Sequence, residues 1–283
     1  MCEHTWLRFL YSIQMEESTR IDNGTVDESN TPTRPSLMRR LHYWWSLCVA
    51  GALLLFLAPP ILVVAWLVNK HDLVYPVALF GAREWLRFSG VRVRVHGLEL
   101  LDPQQTYVFV SNHRSYLDTA SVFVYLGRRI GLLAKKELLK VPILGVGMGF
   151  VNVMAIDRSN RERAIRTADA AVRRIQSGVS FAVFVEGTRA RPGELLPFKK
   201  GAFYMAKQAG VPVVPIAIRN SDILMGKGTG AAKSGTIDMV IMPPVSTANV
   251  ESDQDMARLI STVRTSIAKE LHVPYDSRCE DVS

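Results

Sequence analysis

Two side chains in the stretch "VFVSNHRSYLD" (108–118), His113 and Asp118, have the chemistry of a general-base pair. An aspartate that accepts the Nδ1 proton of a histidine fixes the ring tautomer. Nε2 is then free to take a proton from a hydroxyl. The spacing is wrong for a pair on one helix, where side-chain neighbours lie three or four residues apart. Residues at i and i+5 point about 140° apart. The two meet only if His113 precedes the helix. Ser115-Tyr116-Leu117-Asp118 has the form of a capping box with Ser115 as N-cap. That puts His113 in the bend after a strand, where α/β folds place ligands. A second reading stays open on this stretch alone: Asp118 caps the helix and His113 is an ordinary loop histidine.

Three further stretches carry charge at strand ends. "FVEGTRARPGELLPFKKGA" (184–202) leaves a strand and enters a helix. Gly187 permits a tight turn, and Arg189 can hold a phosphate with two parallel hydrogen bonds. Glu186 either braces Arg189 or caps a turn, and Lys199 and Lys200 add charge nearby. "AIDRSNR" (155–161) carries Asp157 and Arg158, and "LLAKKELLKVPILGVG" (132–147) carries Lys135 and Lys136. Each alone reads as a surface charge. Together they can converge on one phosphate. There is no GxSxG nucleophile motif, which disfavours a serine esterase, and no Walker A loop. Cys2, Cys48 and Cys279 are far apart, with no zinc-ligand spacing and no disulfide framework. No metal is expected.

The elements that must position these residues begin near residue 90. "VRVRVHG" (91–97) alternates strictly, as a half-exposed strand does. Further strands are expected at 106–110, 130–134, 152–156, 180–185, 211–218 and 236–242. Helices are expected near 115–126, 160–177, 199–209 and 253–271. Alternation of this kind predicts an α/β fold, a mixed and largely parallel sheet covered by helices. The segment 225–235, rich in Gly and Lys, reads as a mobile loop.

Upstream, the run from Tyr43 to Val68 has no charged residue. Arg39, Arg40, Tyr43, Trp44 and Trp45 flank its start like an interfacial belt. Pro59-Pro60 interrupts it, so it is expected either to span a bilayer with a kink or to turn back within it. Residues 73–88 read as an amphipathic interfacial helix. A signal peptide is disfavoured, because the run lies too far in and lacks a cleavage site. A buried soluble helix ranks second to membrane attachment. Residues 16–37 are too polar to fold alone, and 1–15 form either a short interfacial helix or an extension without a role. The expected organisation is a polar tail (1–37), membrane-associating helices (38–89), an α/β domain (90–275) and a C-terminal tail (276–283).

The net charge of +8 is unevenly placed, because residues 1–37 hold six acids and three bases. A basic body suggests an anionic partner. Nucleic acid is disfavoured, since the charge sits beside apolar segments rather than in a recognition helix.

Taken together, these stretches resemble the glycerolipid acyltransferase family, in particular its 1-acylglycerol-3-phosphate acyltransferases. "NHRSYLD" is similar to the first family block, "AIDR" to the second, "FVEGTR" to the third and "VPVVPIAI" to the fourth. The third block is usually written with Pro after Phe; here Val185 takes that place. The resemblance covers about residues 90–245. It implies a membrane-bound enzyme that moves an acyl group from acyl-CoA or acyl-carrier protein to the sn-2 hydroxyl of 1-acylglycerol 3-phosphate. In that case His113 is the base and Asp118 orients it. Glu186, Gly187, Thr188 and Arg189 bind the acceptor phosphate, with Arg158 and Lys135 as additional candidates. No cofactor beyond the acyl thioester co-substrate is implied. Membrane lipid is the implied partner, bound in part through Arg161, Arg163, Arg166, Arg173 and Arg174, with the catalytic domain facing the cytoplasm. Glycerol 3-phosphate, another lysophospholipid or a lyso-aminolipid are alternative acceptors. A non-catalytic adaptor for anionic lipid is the alternative of another class.

Overall fold

The computed structural model describes residues 35–273 other than Arg158. The expectations for residues 1–34, for Arg158 and for 276–283 lie outside the described residues, and so does the side chain of Arg161.

Seven strands form one sheet: β1 (Val91–His96), β2 (Val108–Ser111), β3 (Ile130–Lys135), β4 (Val153–Ile156), β5 (Ser180–Phe184), β6 (Val213–Arg219) and β7 (Gly235–Ile241). Their order is β1-β7-β6-β2-β5-β3-β4. The block from β6 to β4 is parallel, whereas β7 runs antiparallel to β6 and takes β1 with it. β2 lies inside the sheet, and its four residues are all buried. Its side chains alternate: Phe109 enters one apolar core, and Val108 and Val110 enter the other. The fold is therefore the expected mixed, largely parallel α/β sheet with helices on both faces.

The Phe109 face is covered by α2 (Val74–Phe88) and α3 (Tyr116–Tyr125), through Leu86, Leu117, Val122 and Phe123. After β3 comes a short helix, α4 (Leu144–Met148). The opposite face is covered by α5 (Arg161–Gln176), α6 (Gly201–Ala209) and the last helix of the domain (Asp253–Glu270). The exposed Arg163, Arg166, Arg173 and Arg174 therefore lie in the layer across the sheet from α2.

Upstream of α2 stands α1 (Leu37–Leu67), one unbroken helix of 31 residues. The expected interruption at Pro59-Pro60 is absent, as both prolines lie inside the helix. At 1.5 Å per residue α1 is about 46 Å long, well beyond a hydrocarbon core of about 30 Å. It is the one helix among the described residues that is long and apolar enough to cross a bilayer, and that stretch is not buried within the protein. Leu55, Phe56, Val63 and Trp66 are all exposed. Its first turns are bolted to the domain. Trp45 Nε1 donates to Phe88 O at 3.0 Å, Trp85 Nε1 donates to Ser46 O at 3.0 Å, and the buried Ser46 and Ser89 hydroxyls share a bond of 2.7 Å.

The segment 225–235 differs from the mobile loop expected of it. Ala231 and Ala232 are buried, and Ala232 N–H donates to Arg39 O at 2.9 Å. Between β6 and this segment lies a helix of one turn, α7 (Ser221–Met225). Composition rich in Gly and Lys hid the two small apolar residues that pin it.

Candidate active site

His113 sits one residue past Asn112 at the carboxyl end of β2, and three contacts hold it. The Asn112 side chain imitates a peptide unit. Its Nδ2 donates to Ile218 O at 2.9 Å and its Oδ1 accepts Ile218 N–H at 2.8 Å, so the bend stays attached to β6 after the strand ends. The main-chain N–H of His113 donates to Glu186 Oε1 at 2.7 Å, and its carbonyl accepts Ala190 N–H at 2.7 Å. The imidazole stacks on Phe184, the last residue of β5, at 4.1 Å between ring centres.

Nδ1 of His113 lies 2.9 Å from Asp118 Oδ2. The same oxygen accepts Arg114 N–H and Ser115 N–H, each at 2.7 Å. Asp118 is fully buried at the third helical position of α3. It thus caps α3 and meets His113 with one atom. An oxygen that already accepts two main-chain N–H groups favours the tautomer with the proton on Nδ1, which leaves Nε2 as the acceptor nitrogen of the neutral ring. The His113 side chain is 17% exposed, enough to meet a reactant from one side. Ser115 is the N-cap: its Oγ accepts Leu117 N–H and donates to Met225 O.

The other predicted residues divide. Glu186 does not face a substrate phosphate. It is buried, and its second oxygen accepts Leu196 N–H at 2.7 Å, so both oxygens are taken by main-chain donors. A carboxylate so placed is a bracket between the β2 bend and the loop after β5. Burial pushes its pKa up to about 7, against the lowering effect of the His113 and Leu196 N–H groups and of Arg114. Gly187 takes φ of +72° in the turn, a conformation open to glycine. Thr188 is exposed beside it. Arg189 lies with its guanidinium 3.7 Å over the ring of Tyr116, the first residue of α3. Val185 N–H donates to Ser111 O at 3.2 Å, a ladder bond that a proline there could not make.

Lys135 is exposed at the end of β3, and β5 separates its strand from β2. Its neighbour Lys136 is committed: Nζ donates to Asp157 Oδ1 and to Ser159 Oγ, both at 2.6 Å. Those hydrogen bonds from Lys136 and Ser159 hold the Asp157 carboxyl down at about 2. The clasp ties the ends of β3 and β4 together.

Two features carried no clear signal in the sequence. Arg114 is buried and pairs with Asp222 at 3.1 Å, while its Nε donates to Glu194 O at 2.8 Å. Phe184 reads as one more strand residue until its ring is seen under His113. Among the described residues no cluster of three or more His, Cys, Asp or Glu could hold a metal ion.

Residues 92–219 match the family model described as Acyltransferase. That stretch is just under half of the chain. The match spans β1 to β6 and contains His113, Asp118, Phe184 and Glu186. The 1-acyl-sn-glycerol-3-phosphate acyltransferase alpha of Bos taurus is 37% identical over 179 residues, 63% of this chain and 62% of that protein. The 1-acyl-sn-glycerol-3-phosphate acyltransferase of Saccharomyces cerevisiae is 35% identical, over 58% of this chain and 55% of its own. The chain therefore spans less than two thirds of the length of these two curated relatives. The crystal structure of the 1-acyl-sn-glycerophosphate acyltransferase from Thermotoga maritima superposes with a TM-score of 0.72 at 24% identity, covering 85% of this chain and 99% of that one. That likeness shows the fold.

Proposed function

We propose that this chain is an acyltransferase that moves a fatty acyl group from an acyl thioester to the free sn-2 hydroxyl of 1-acylglycerol 3-phosphate, giving phosphatidic acid. The observation that carries the proposal is the 2.9 Å contact between His113 Nδ1 and Asp118 Oδ2, on a side chain that is 17% exposed at the carboxyl end of β2; with the proton on Nδ1, Nε2 is free to act as base. Nε2 takes the hydroxyl proton as the alcohol oxygen attacks the thioester carbon. The tetrahedral intermediate collapses, the C–S bond breaks, and the thiolate leaves with the proton returned by the imidazolium. The products are an ester and a free thiol, with no acyl-enzyme. Asp118 holds the ring and balances the charge that forms on it. The printed names of the relatives support lysophosphatidate as acceptor. In this reading Arg189, whose guanidinium lies over Tyr116, takes its phosphate, and exposed Lys135 at the end of β3 is a further cation. The donor is acyl-CoA or acyl-carrier protein, and α1 docks the domain on the membrane with the site facing the cytoplasm.

The test is an acceptor panel on the full chain in detergent: lysophosphatidate, glycerol 3-phosphate, other lysophospholipids and a lyso-aminolipid. Lysophosphatidate is expected to give the highest kcat/KM, and His113→Ala to lose about 10²- to 10⁴-fold. Transfer by His113→Ala at the wild-type rate overturns the base assignment.

A further inference from the structure

The first turns of α1 and the segment 226–230 border an opening. A cavity of about 290 Å³ has Arg189, Tyr116 and Tyr43 in its wall. It shares Tyr43, Gly228 and Gly230 with a second cavity of about 430 Å³, whose wall includes Arg40 and Thr229. The two make one cleft between the first turns of α1 and the segment 226–230. Neither wall contains Asp or Glu. Two guanidinium groups border it. That of Arg189 rests on the Tyr116 ring, and neither it nor the exposed Arg40 has a carboxylate partner among the described residues.

The cleft is built rather than incidental. Its far wall is tied to α1 by the Ala232–Arg39 main-chain bond. Lys227 Nζ donates to Arg189 O at 2.6 Å, and Gly226 is bridged to Ser115 on the other side. The indole of Trp45 and the hydroxyl of Ser46 fix the helix turn that carries Arg40 and Tyr43. Two unpaired guanidiniums in a fixed cleft free of acids call for an anion from outside the chain. A phosphate ester matches the planar fork of arginine.

We propose that Arg40, a residue of the apolar helix, is a substrate-binding residue, and that the cleft from Arg189 to Arg40 receives a phosphate ester. The proposal rests on the reading of the chain as an enzyme for a phosphorylated acceptor. Two reactants carry that group: the acceptor, through its glycerol phosphate, and acyl-CoA, through its nucleotide.

The experiment compares Arg40→Ala with Arg83→Ala, a control that removes an exposed cation from α2. Full chain in neutral detergent micelles is assayed with lysophosphatidate and with either acyl-CoA or an acyl-pantetheine. Loss of one arginine–phosphate contact is expected to raise KM about tenfold. A rise for lysophosphatidate with both donors places the acceptor in the cleft. A rise for acyl-CoA but not for acyl-pantetheine places the nucleotide there. Either supports the proposal. Unchanged KM values relative to Arg83→Ala overturn it. So does a defect that appears only on anionic vesicles, which would make Arg40 a contact for bulk lipid. Calorimetric titration with CoA and with glycerol 3-phosphate reads the same cleft without acyl transfer. It therefore separates a failure here from a wild-type chain that proves to have no transferase activity.

Discussion

His113 is restrained by its main chain, its ring face and one ring nitrogen, and each restraint comes from a different element. Asp118 Oδ2 serves three donors while Oδ1 is buried without a partner. This geometry makes Asp118→Asn informative. An amide oxygen still accepts the Arg114 and Ser115 N–H groups, so the α3 cap survives and the melting temperature falls little. The charge that balances the imidazolium is gone, and kcat is expected to fall at least tenfold. Activity equal to wild type would leave Asp118 with the cap alone. Glu186 gives a second prediction. Its pKa is raised by burial to about 7, so between about 4.5 and 7 the folded chain holds more protons at this site than the unfolded chain. Its contribution is then fully present at low pH and declines as pH rises, by at most about 1.4 kcal/mol per unit. Glu186→Gln should flatten that slope in urea unfolding followed from pH 4.5 to 7.5. An unchanged slope would assign it to another group. The sequence named both residues but misplaced Glu186. A motif shows that a carboxylate is present, whereas only the fold shows that two main-chain N–H groups have already claimed it.

The strands and long helices were legible because period-2 and period-3.6 patterns are written locally. What joins them was less so. The Arg114–Asp222 pair links the bend before α3 to α7 across more than a hundred positions, and no spacing rule announces it. Both side chains are buried, so Arg114→Ala leaves an uncompensated charge. It should cost about 3–5 kcal/mol in denaturant unfolding, far more than the same change at exposed Arg83. A loss under 1 kcal/mol would mean that the pair is solvated. The two prolines of α1 misled in the other direction. Proline removes a donor and crowds the preceding turn, yet the neighbouring turns of α1 hold their helical course. Their local preference was outweighed along a helix of 31 residues whose first turns are fixed by the indole and serine bonds.

At the scale of the molecule, an α/β domain carries one long apolar helix whose outer face no other element among the described residues covers. Phe56 and Trp66 are each 72% exposed on it. Placing a charge at both positions, Phe56→Asp with Trp66→Asp, should cut binding to phospholipid vesicles at least tenfold. Turnover of micellar substrate should change less than threefold, because neither residue packs on the domain. Equal loss of both would show that α1 supports the catalytic fold itself. The basic composition suggests an anionic partner but not its location, because the arginines of α5 and those at the start of α1 lie in layers separated by the sheet.

The bond between Arg39 and Ala232 has one further consequence, for the order of events during synthesis. The ribosome delivers α1 early and the segment 226–235 late. For most of translation, therefore, the helix can already lie in lipid while half of the cleft it will border has not been made. The cleft closes only when the late segment returns to a helix already in place, which shortens the search from three dimensions to a surface. A nascent chain arrested before residue 226 should carry α1 and the His113 bend, yet leave the start of α1 open to protease.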